Sequence, residues 1–156
     1  MSPQRHTAAG VFVRTFLPQD AQAVQEIASR SPEAAQWSCA SYAALNDSLC
    51  CAWVAEVDGT IDGFFVARVA ADEAEILNLA VTPAKRCTGI ATALLKEALA
   101  ELQAQGAHNV SLEVRESNHA AIHFYEKHGF VKTGRRTAYY QGPTEAAVLM
   151  KRELTG

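Results

Sequence analysis

Residues 75–105 read E-I-L-N-L-A-V-T-P-A-K-R-C-T-G-I-A-T-A-L-L-K-E-A-L-A-E-L-Q-A-Q. The first seven residues have the apolar character of a strand, and the last seventeen or so that of a helix. Apolar residues recur at Ile90/Ala91, Leu94/Leu95, Ala98/Leu99 and Leu102, the stripe of a helix packed on a sheet. Thr88 is the expected N-cap. The intervening loop, Lys85-Arg86-Cys87-Thr88-Gly89, therefore carries unpaired backbone N–H groups to a helix N-terminus. Those groups and the helix dipole together favour an anion, phosphate above all. The loop lacks G-x-x-x-x-G-K-[ST] and G-x-G-x-x-G, so neither the Walker loop nor the dinucleotide fingerprint is present.

At 156 residues the chain is expected to form one domain, residues 10–156, after a flexible N-terminus, residues 1–9. Hydrophobic residues are 49% and charged residues 20%, which needs no metal or disulfide to complete a core. No apolar run approaches membrane-spanning length, and the first ten residues have no apolar targeting core. A cytoplasmic location, no membrane partner and a monomer or weak dimer are expected. A net charge of −3 argues against direct nucleic-acid binding and is compatible with a basic peptide substrate. Four cysteines (Cys39, Cys50, Cys51, Cys87) form no C-x-x-C, and Cys50 and Cys51 would face opposite sides of a strand. No metal site is expected. His119 and His123 have ligand spacing, but without H-E-x-x-H or a third ligand they read as exposed helix histidines.

In chain order, residues 11–16 form a strand and residues 18–30 a helix stopped by Ser31-Pro32. Ser38 caps a second helix to about Leu45, with Trp37 between the two. Residues 50–57 and 61–70 flank Asp58-Gly59, a strong hairpin signal. After the central strand and helix, Gly106 supplies a stop. Residues 108–114 alternate as a strand, residues 118–128 form a helix, and His128-Gly129-Phe130 fits a glycine cap with Phe130 folding back. A short strand at 130–133, a loop at Gly142-Pro143 and a last strand at 146–151 complete the order β-α-α-β-β-β-α-β-α-β-β.

Arg86-x-x-Gly89-x-Ala91, following N-L-A-V-T-P, resembles the pyrophosphate loop of the GNAT family of acyl-CoA-dependent N-acetyltransferases, and the element order is that of the family across nearly the whole chain. L-E-V-R-E-S-N-H-A-A-I-H-F-Y-E-K-H-G-F, R-R-T-A-Y-Y and Trp37-Ser38 are most similar to RimI-type ribosomal-protein alanine N-acetyltransferases. The resemblance implies an α/β (α+β) fold: a mixed, mostly antiparallel sheet splayed at an acetyl-CoA cleft, with helices on both faces. It implies acetyl-CoA as cosubstrate and, as acceptor, a protein N-terminal amine, that of an alanine at the start of a small-subunit ribosomal protein.

Residue by residue, the resemblance places the pantetheine arm and acetyl group against Leu79, Ala80 and Val81. It places the pyrophosphate on Arg86, Cys87, Thr88, Gly89, Ile90, Ala91 and Thr92. Cys87 stands where many relatives carry a second basic residue; it is either a thiol activated by the helix N-terminus or an inert residue whose backbone alone matters. Asn118 would contact pantetheine and Tyr125 would protonate the departing thiolate. Glu113, which alternates with Leu112 and Val114, would be the base, with Glu75, on the strand face of Leu77 and Leu79, as its rival. Tyr139 and Tyr140, in a loop before the last strand, would hold the peptide, and Trp37 would wall the groove. By composition alone, Leu79 and Val81 also fit a paired core strand, Glu113 a solvated face, and the tyrosines plain packing. A small-molecule amine as acceptor, or a non-catalytic acyl-CoA-binding module, are the alternative functions.

Overall fold

Two periodicities, near 2 and near 3.6, divide this chain into strands that bury one or both faces and helices that bury one stripe. The computed structural model describes residues 5–6, 10–32, 34–45, 50–140 and 144–154. Its strands are β1 (Arg5–His6), β2 (Val11–Thr15), β3 (Cys50–Val57), β4 (Thr60–Ala70), β5 (Glu73–Val81), β6 (Asn109–Arg115), β7 (Val131–Tyr140) and β8 (Glu145–Glu153). Its helices are α1 (Ala21–Ser29), α2 (Cys39–Ala43), α3 (Ile90–Ala104) and α4 (His119–Lys127). The strands make one sheet in the order β1-β2-β3-β4-β5-β6-β8-β7. All neighbours are antiparallel except β5 and β6, which run parallel because α3 crosses between them.

The sheet is covered on both faces, as expected. On one, Val24, Ile27 and Ala28 of α1 and Tyr42 of α2 pack on Val54, Phe64 and Val66. On the other, Leu94, Leu95, Ala98 and Leu102 of α3 and Ile122 and Tyr125 of α4 pack on Val13, Trp53, Phe65, Val110 and Leu112. Burying each such leucine contributes roughly 1.5–3 kcal/mol. Cys50 packs against the first cluster and Cys51 against the second, so the two thiols do face opposite ways. All four cysteines are free.

Three local expectations are corrected. β7 runs ten residues to Tyr140, not to Thr133, so Tyr139 and Tyr140 end a strand rather than sit in a loop. β7 is an outermost strand whose residues 131–137 are exposed, so it carries no apolar alternation to read. The N-cap of α3 is Gly89, at φ 92°, and not Thr88; the Thr88 hydroxyl instead donates to the Lys85 carbonyl. Asn118 is the N-cap of α4, its side chain accepting the Ala121 N–H at 3.1 Å, so it precedes the helix that carries Tyr125. Within the proposed N-terminus, Arg5–His6 pairs with Val13 and Phe12; residues 1–4 and 7–9, like Gly142-Pro143, lie outside the described residues.

Gly63 positions α3. A Cβ there would lie 2.9 Å from Ile90 Cγ2 and 3.1 Å from Leu94 Cδ1, so the first turn of α3 rests directly on the β4 backbone. Ile90 and Leu94 are buried and cannot swing aside. Gly63→Ala is expected to cost about 1–3 kcal/mol through overpacking, read as a lower midpoint in urea unfolding.

Candidate active site

Three residue pairs join β5 to β6: Glu73 with Asn109, Ala74 with Val110 and Glu75 with Ser111. Beyond them the strands part. From Ile76 onward β5 is paired only with β4, while β6 continues with β8. The backbone groups of Leu79, Ala80 and Val81 that point toward β6 therefore have no strand partner, and a cleft opens between two otherwise regular halves of the sheet.

A bulge sharpens this arrangement. Ile76 pairs with Ala67 and Asn78 with Val66, so Leu77 is the extra residue. The bulge reverses the phase of alternation. Ala74 and Ile76 face α3, Leu77 faces α1 and α2, and then Asn78 and Ala80 face α1 and α2 while Leu79 and Val81 turn to α3. The expectation that Glu75, Leu77 and Leu79 share one face is thus corrected, because one inserted residue breaks a period of two.

The loop after β5 has the shape an anion needs. A short 3-10 turn, Pro83–Lys85, leads to Arg86 in extended conformation. Cys87 (φ 63°) and Gly89 (φ 92°) then take left-handed conformations. For a cysteine this geometry stores roughly 1–3 kcal/mol of strain. The first bond into α3 runs from the Ala93 N–H to the Gly89 carbonyl at 3.0 Å, so the amides of Gly89, Ile90, Ala91 and Thr92 precede any intrahelical acceptor. Nothing lies within 4 Å of where a Gly89 Cβ would be, which leaves room for a ligand against the backbone. Arg86 Nη2 donates to the buried Ser31 Oγ at 3.1 Å. Farther into α3, the Thr92 hydroxyl lies 3.4 Å from His128 Nε2.

Glu113 lies on β6 facing away from Leu112 and Val114, which both belong to the α3 and α4 cluster. Its side chain is 17% exposed and its carboxylate lies 3.3 Å from Arg136 Nη2. The same carboxylate raises the Tyr139 phenol above its ordinary value, first by a hydrogen bond and then by its charge; Glu75 adds to the shift by charge alone. Of the two candidate bases, Glu113 thus engages Tyr139 directly and Glu75 acts on it at longer range. Glu75 is paired across the β4–β5 ladder with Arg68, at 2.6 Å. Tyr139 and Tyr140 meet edge to face, with centroids 5.1 Å apart. Arg136 lies over the Tyr139 ring at 5.3 Å and Arg115 over the Tyr140 ring at 4.5 Å.

Tyr125 comes from the opposite side. It is 6% exposed, and its ring stacks edge-on with Phe124 and Phe130, both 5.3 Å away. Gly129 at φ 89° lets the chain reverse, so that the Phe130 N–H reaches the Tyr125 carbonyl at 3.0 Å and Phe130 folds back as expected. Burial alone pushes the Tyr125 phenol well above its usual range. Trp37 is half-buried against Tyr42, centroids 5.3 Å apart.

Sequence reasoning missed four residues here. Gly63 was readable as a glycine inside a strand, the mark of a close approach. Asn78 was readable as a lone amide in an apolar run. Ser31 and Arg136 gave no signal, because their partners, Arg86 and Glu113, lie 55 and 23 residues away in the chain. A separate groove of about 420 Å3 runs between α4 and β7, lined by Glu116, His119, His123, Lys132 and Arg135 among others. It lies outside the cleft, and its Arg135 and Glu116 already pair at 2.5 Å. Among the described residues no group of three His, Cys, Asp or Glu could hold a metal ion, and no helix is long and apolar enough to cross a membrane.

Comparison with known proteins gives one consistent result. Residues 18–130 match the family described as acetyltransferase (GNAT) family. The [ribosomal protein bS18]-alanine N-acetyltransferase of Escherichia coli strain K12 is 39% identical over 97 residues, 60% of this chain and 64% of that protein. A Bacillus subtilis relative, described as a putative enzyme of the same name, is 35% identical over 62% of this chain and 64% of its own length. Both matches thus span less than two thirds of the relative. Among solved structures, the Escherichia coli ribosomal-protein-S18-alanine N-acetyltransferase superposes with a TM-score of 0.82, 29% identity, and coverage of 94% of this chain and 96% of that one. Ard1 from Thermoplasma volcanium gives 0.86, 31%, 95% and 100%.

The Glu113 to Tyr139 contact is directly measurable. Replacing the carboxylate by a neutral amide removes the charge that disfavours tyrosinate, so Glu113→Gln is expected to move the Tyr139 titration toward lower pH. Ring-carbon NMR of labelled tyrosine across an alkaline titration reads this, with the buried Tyr125 resonance unmoved.

Proposed function

This chain belongs to the acetyltransferase (GNAT) family, and from that premise we propose that it transfers an acetyl group from acetyl-CoA to a protein N-terminal amine. The acceptor in this reading is the N-terminal alanine of a small-subunit ribosomal protein, in keeping with the activity for which the Escherichia coli relative is named. One observation carries the chemistry: the sheet parts between a carboxylate, Glu113, on one face and a buried phenol, Tyr125, on the other.

The open amides of residues 89–92 and the unpaired edge of β5 fit the two ends of an acyl-CoA, pyrophosphate and thioester. Bound there, acetyl-CoA would supply an activated acetyl group. Arg86 adds charge at the pyrophosphate end, and Asn118 lies at the start of the helix that carries Tyr125. Backbone N–H groups of residues 79–81 are the available donors for the negative charge that develops on the acyl oxygen.

An α-amino group has a pKa of roughly 7.7–8.0, so it needs only a modest base near neutral pH. Glu113 is that base, relayed by water. Arg136 and Tyr139 orient its carboxylate, and Glu75, tied to Arg68, is the second candidate. Tyr125, held protonated by burial, keeps its proton at neutral pH for the leaving sulfur. Tyr139, Tyr140 and Trp37 offer aromatic surface to a peptide backbone. The nucleophile-and-base pairing of a covalent acyl-enzyme is not needed; the amine attacks directly. The reaction takes place in the cytoplasm, where thiols such as the four free cysteines stay reduced.

Thiol release from acetyl-CoA, measured against short peptides that differ only at the first residue, tests this. Alanine followed by a basic stretch is expected to be strongly preferred. Turnover confined to small amines would move the protein to another acceptor class, and CoA binding without turnover on any acceptor would mark a binding module. Tyr125→Phe and Glu113→Gln are each expected to lower kcat by about 10²–10⁴-fold with acetyl-CoA affinity retained. Unchanged kcat in both would remove these two residues from the mechanism.

A further inference from the structure

Asn78 sits in the parted stretch of β5, and the acetyl-transfer steps above make no use of its side chain. It is 5% exposed, yet its amide is engaged on both sides. Nδ2 donates to the Ala35 carbonyl at 3.0 Å and to the Tyr42 hydroxyl at 3.3 Å, and Oδ1 accepts from the Ala35 N–H at 3.3 Å. The Ala35 peptide is thereby paired to the central strand through a side chain, as a neighbouring strand would pair through its backbone. No apolar residue at 78 could satisfy that peptide.

The tether acts on a particular segment. Residues 34–38 carry Trp37 and lie on the α1 and α2 face of the sheet. Glu113, opposite in direction to Leu112 and Val114, looks out on the same face. Ahead of the segment in the chain, the buried Ser31 Oγ accepts from Arg86 of the anion loop and donates to the Ile27 carbonyl. Gln36 Nε2 braces the turn between, donating to the Ala28, Ser31 and Ala34 carbonyls. Ala35 is thus bound to the splayed strand, and Gln36 ties the same segment back to Ala28 and Ser31.

We propose that Asn78 is a positioning residue that holds residues 34–38, and Trp37 with them, as the wall of the acceptor groove. This rests on the acetyl-transfer reading of the cleft. The side chain touches neither acetyl-CoA nor the reacting atoms; it sets where the acceptor is bound and leaves the chemical step to Glu113 and Tyr125.

Steady-state kinetics with an alanine-first peptide, paired with acrylamide quenching of tryptophan, test it. Asn78→Ala is expected to raise the acceptor KM about tenfold, with kcat and acetyl-CoA affinity nearly unchanged. Asn78→Asp keeps the volume, loses both Nδ2 donors and should raise KM in the same direction. Tyr42→Phe removes one bond, leaves the Ala35 pairing, and should leave KM close to that of the parent. Of the two tryptophans, Trp53 is 2% exposed, so quenching reports Trp37 and should rise in Asn78→Ala. Unchanged KM and unchanged quenching would overturn the proposal. So would a loss of kcat at constant KM, which is a chemical role, or a parallel loss of acetyl-CoA and acceptor binding, which is general damage. If the parent protein turns over no acceptor, the proposed function fails and the acceptor role fails with it. Quenching then still decides whether Asn78 holds the segment.

Discussion

The parting of β5 from β6 after three residue pairs is the constraint on which this molecule turns. A sheet that stayed paired would have no free backbone at residues 79–81 and no gap for a ligand. The parting costs backbone hydrogen bonds, and the fold offsets them locally. β5 keeps its β4 ladder, β6 keeps its β8 ladder, and α3 and α4 close over the far side of the gap with a continuous apolar cluster. The same gap separates the two residues proposed as base and acid. Glu113 looks out on one face and Tyr125 is buried on the other, so the proposed pair, of unlike environment, need not share one pocket.

Environment, more than residue type, distinguishes the phenols around this gap. Tyr125 and Tyr139 are both phenols with raised pKa, for different reasons. Tyr125 is raised by burial alone, whereas Tyr139 is raised by the neighbouring Glu113 carboxylate. The first is a phenol kept protonated in an apolar wall. The second is a donor engaged with the Glu113 carboxylate. Arg136 completes the arrangement from β7, within reach of the Glu113 carboxylate and over the Tyr139 ring.

Much of this was legible in the chain before folding. The strand, loop and helix at 75–105, the hairpin at Asp58-Gly59 and the Phe130 cap each rest on local chemistry, and local chemistry survives in sequence. The resemblance of Arg86-x-x-Gly89-x-Ala91 and L-E-V-R to one family pointed to the family, which the comparisons bear out, and named the candidate site residues. Illegible features were those made by partners distant in sequence or by an inserted residue. Nothing in I-L-N-L-A-V says that Leu77 is the odd residue of a bulge, so the faces of Leu79 and Asn78 could not be read. The length of β7 was hidden because K-T-G-R-R-T has no buried face. Thr88 has a good capping side chain, but Gly89 alone tolerates the backbone turn, and that turn decided the cap.

The polar character of β7 has a further consequence. An outermost strand offers unpaired backbone to any other strand that meets it, and a ten-residue one is a long template. Here Arg135 is bound back to Glu116, Arg136 reaches Glu113, and Lys132 is exposed. At the opposite limit of the sheet lies β1, of which Arg5–His6 are described. A newcomer docking on β7 would have to strip solvent from several guanidinium and ammonium groups. Among the described residues, charge on β7 therefore discourages further pairing on that flank of the sheet. Arg136, which reaches the Glu113 carboxylate at the cleft, is thus also one of the charges that make this edge a poor template for a further strand.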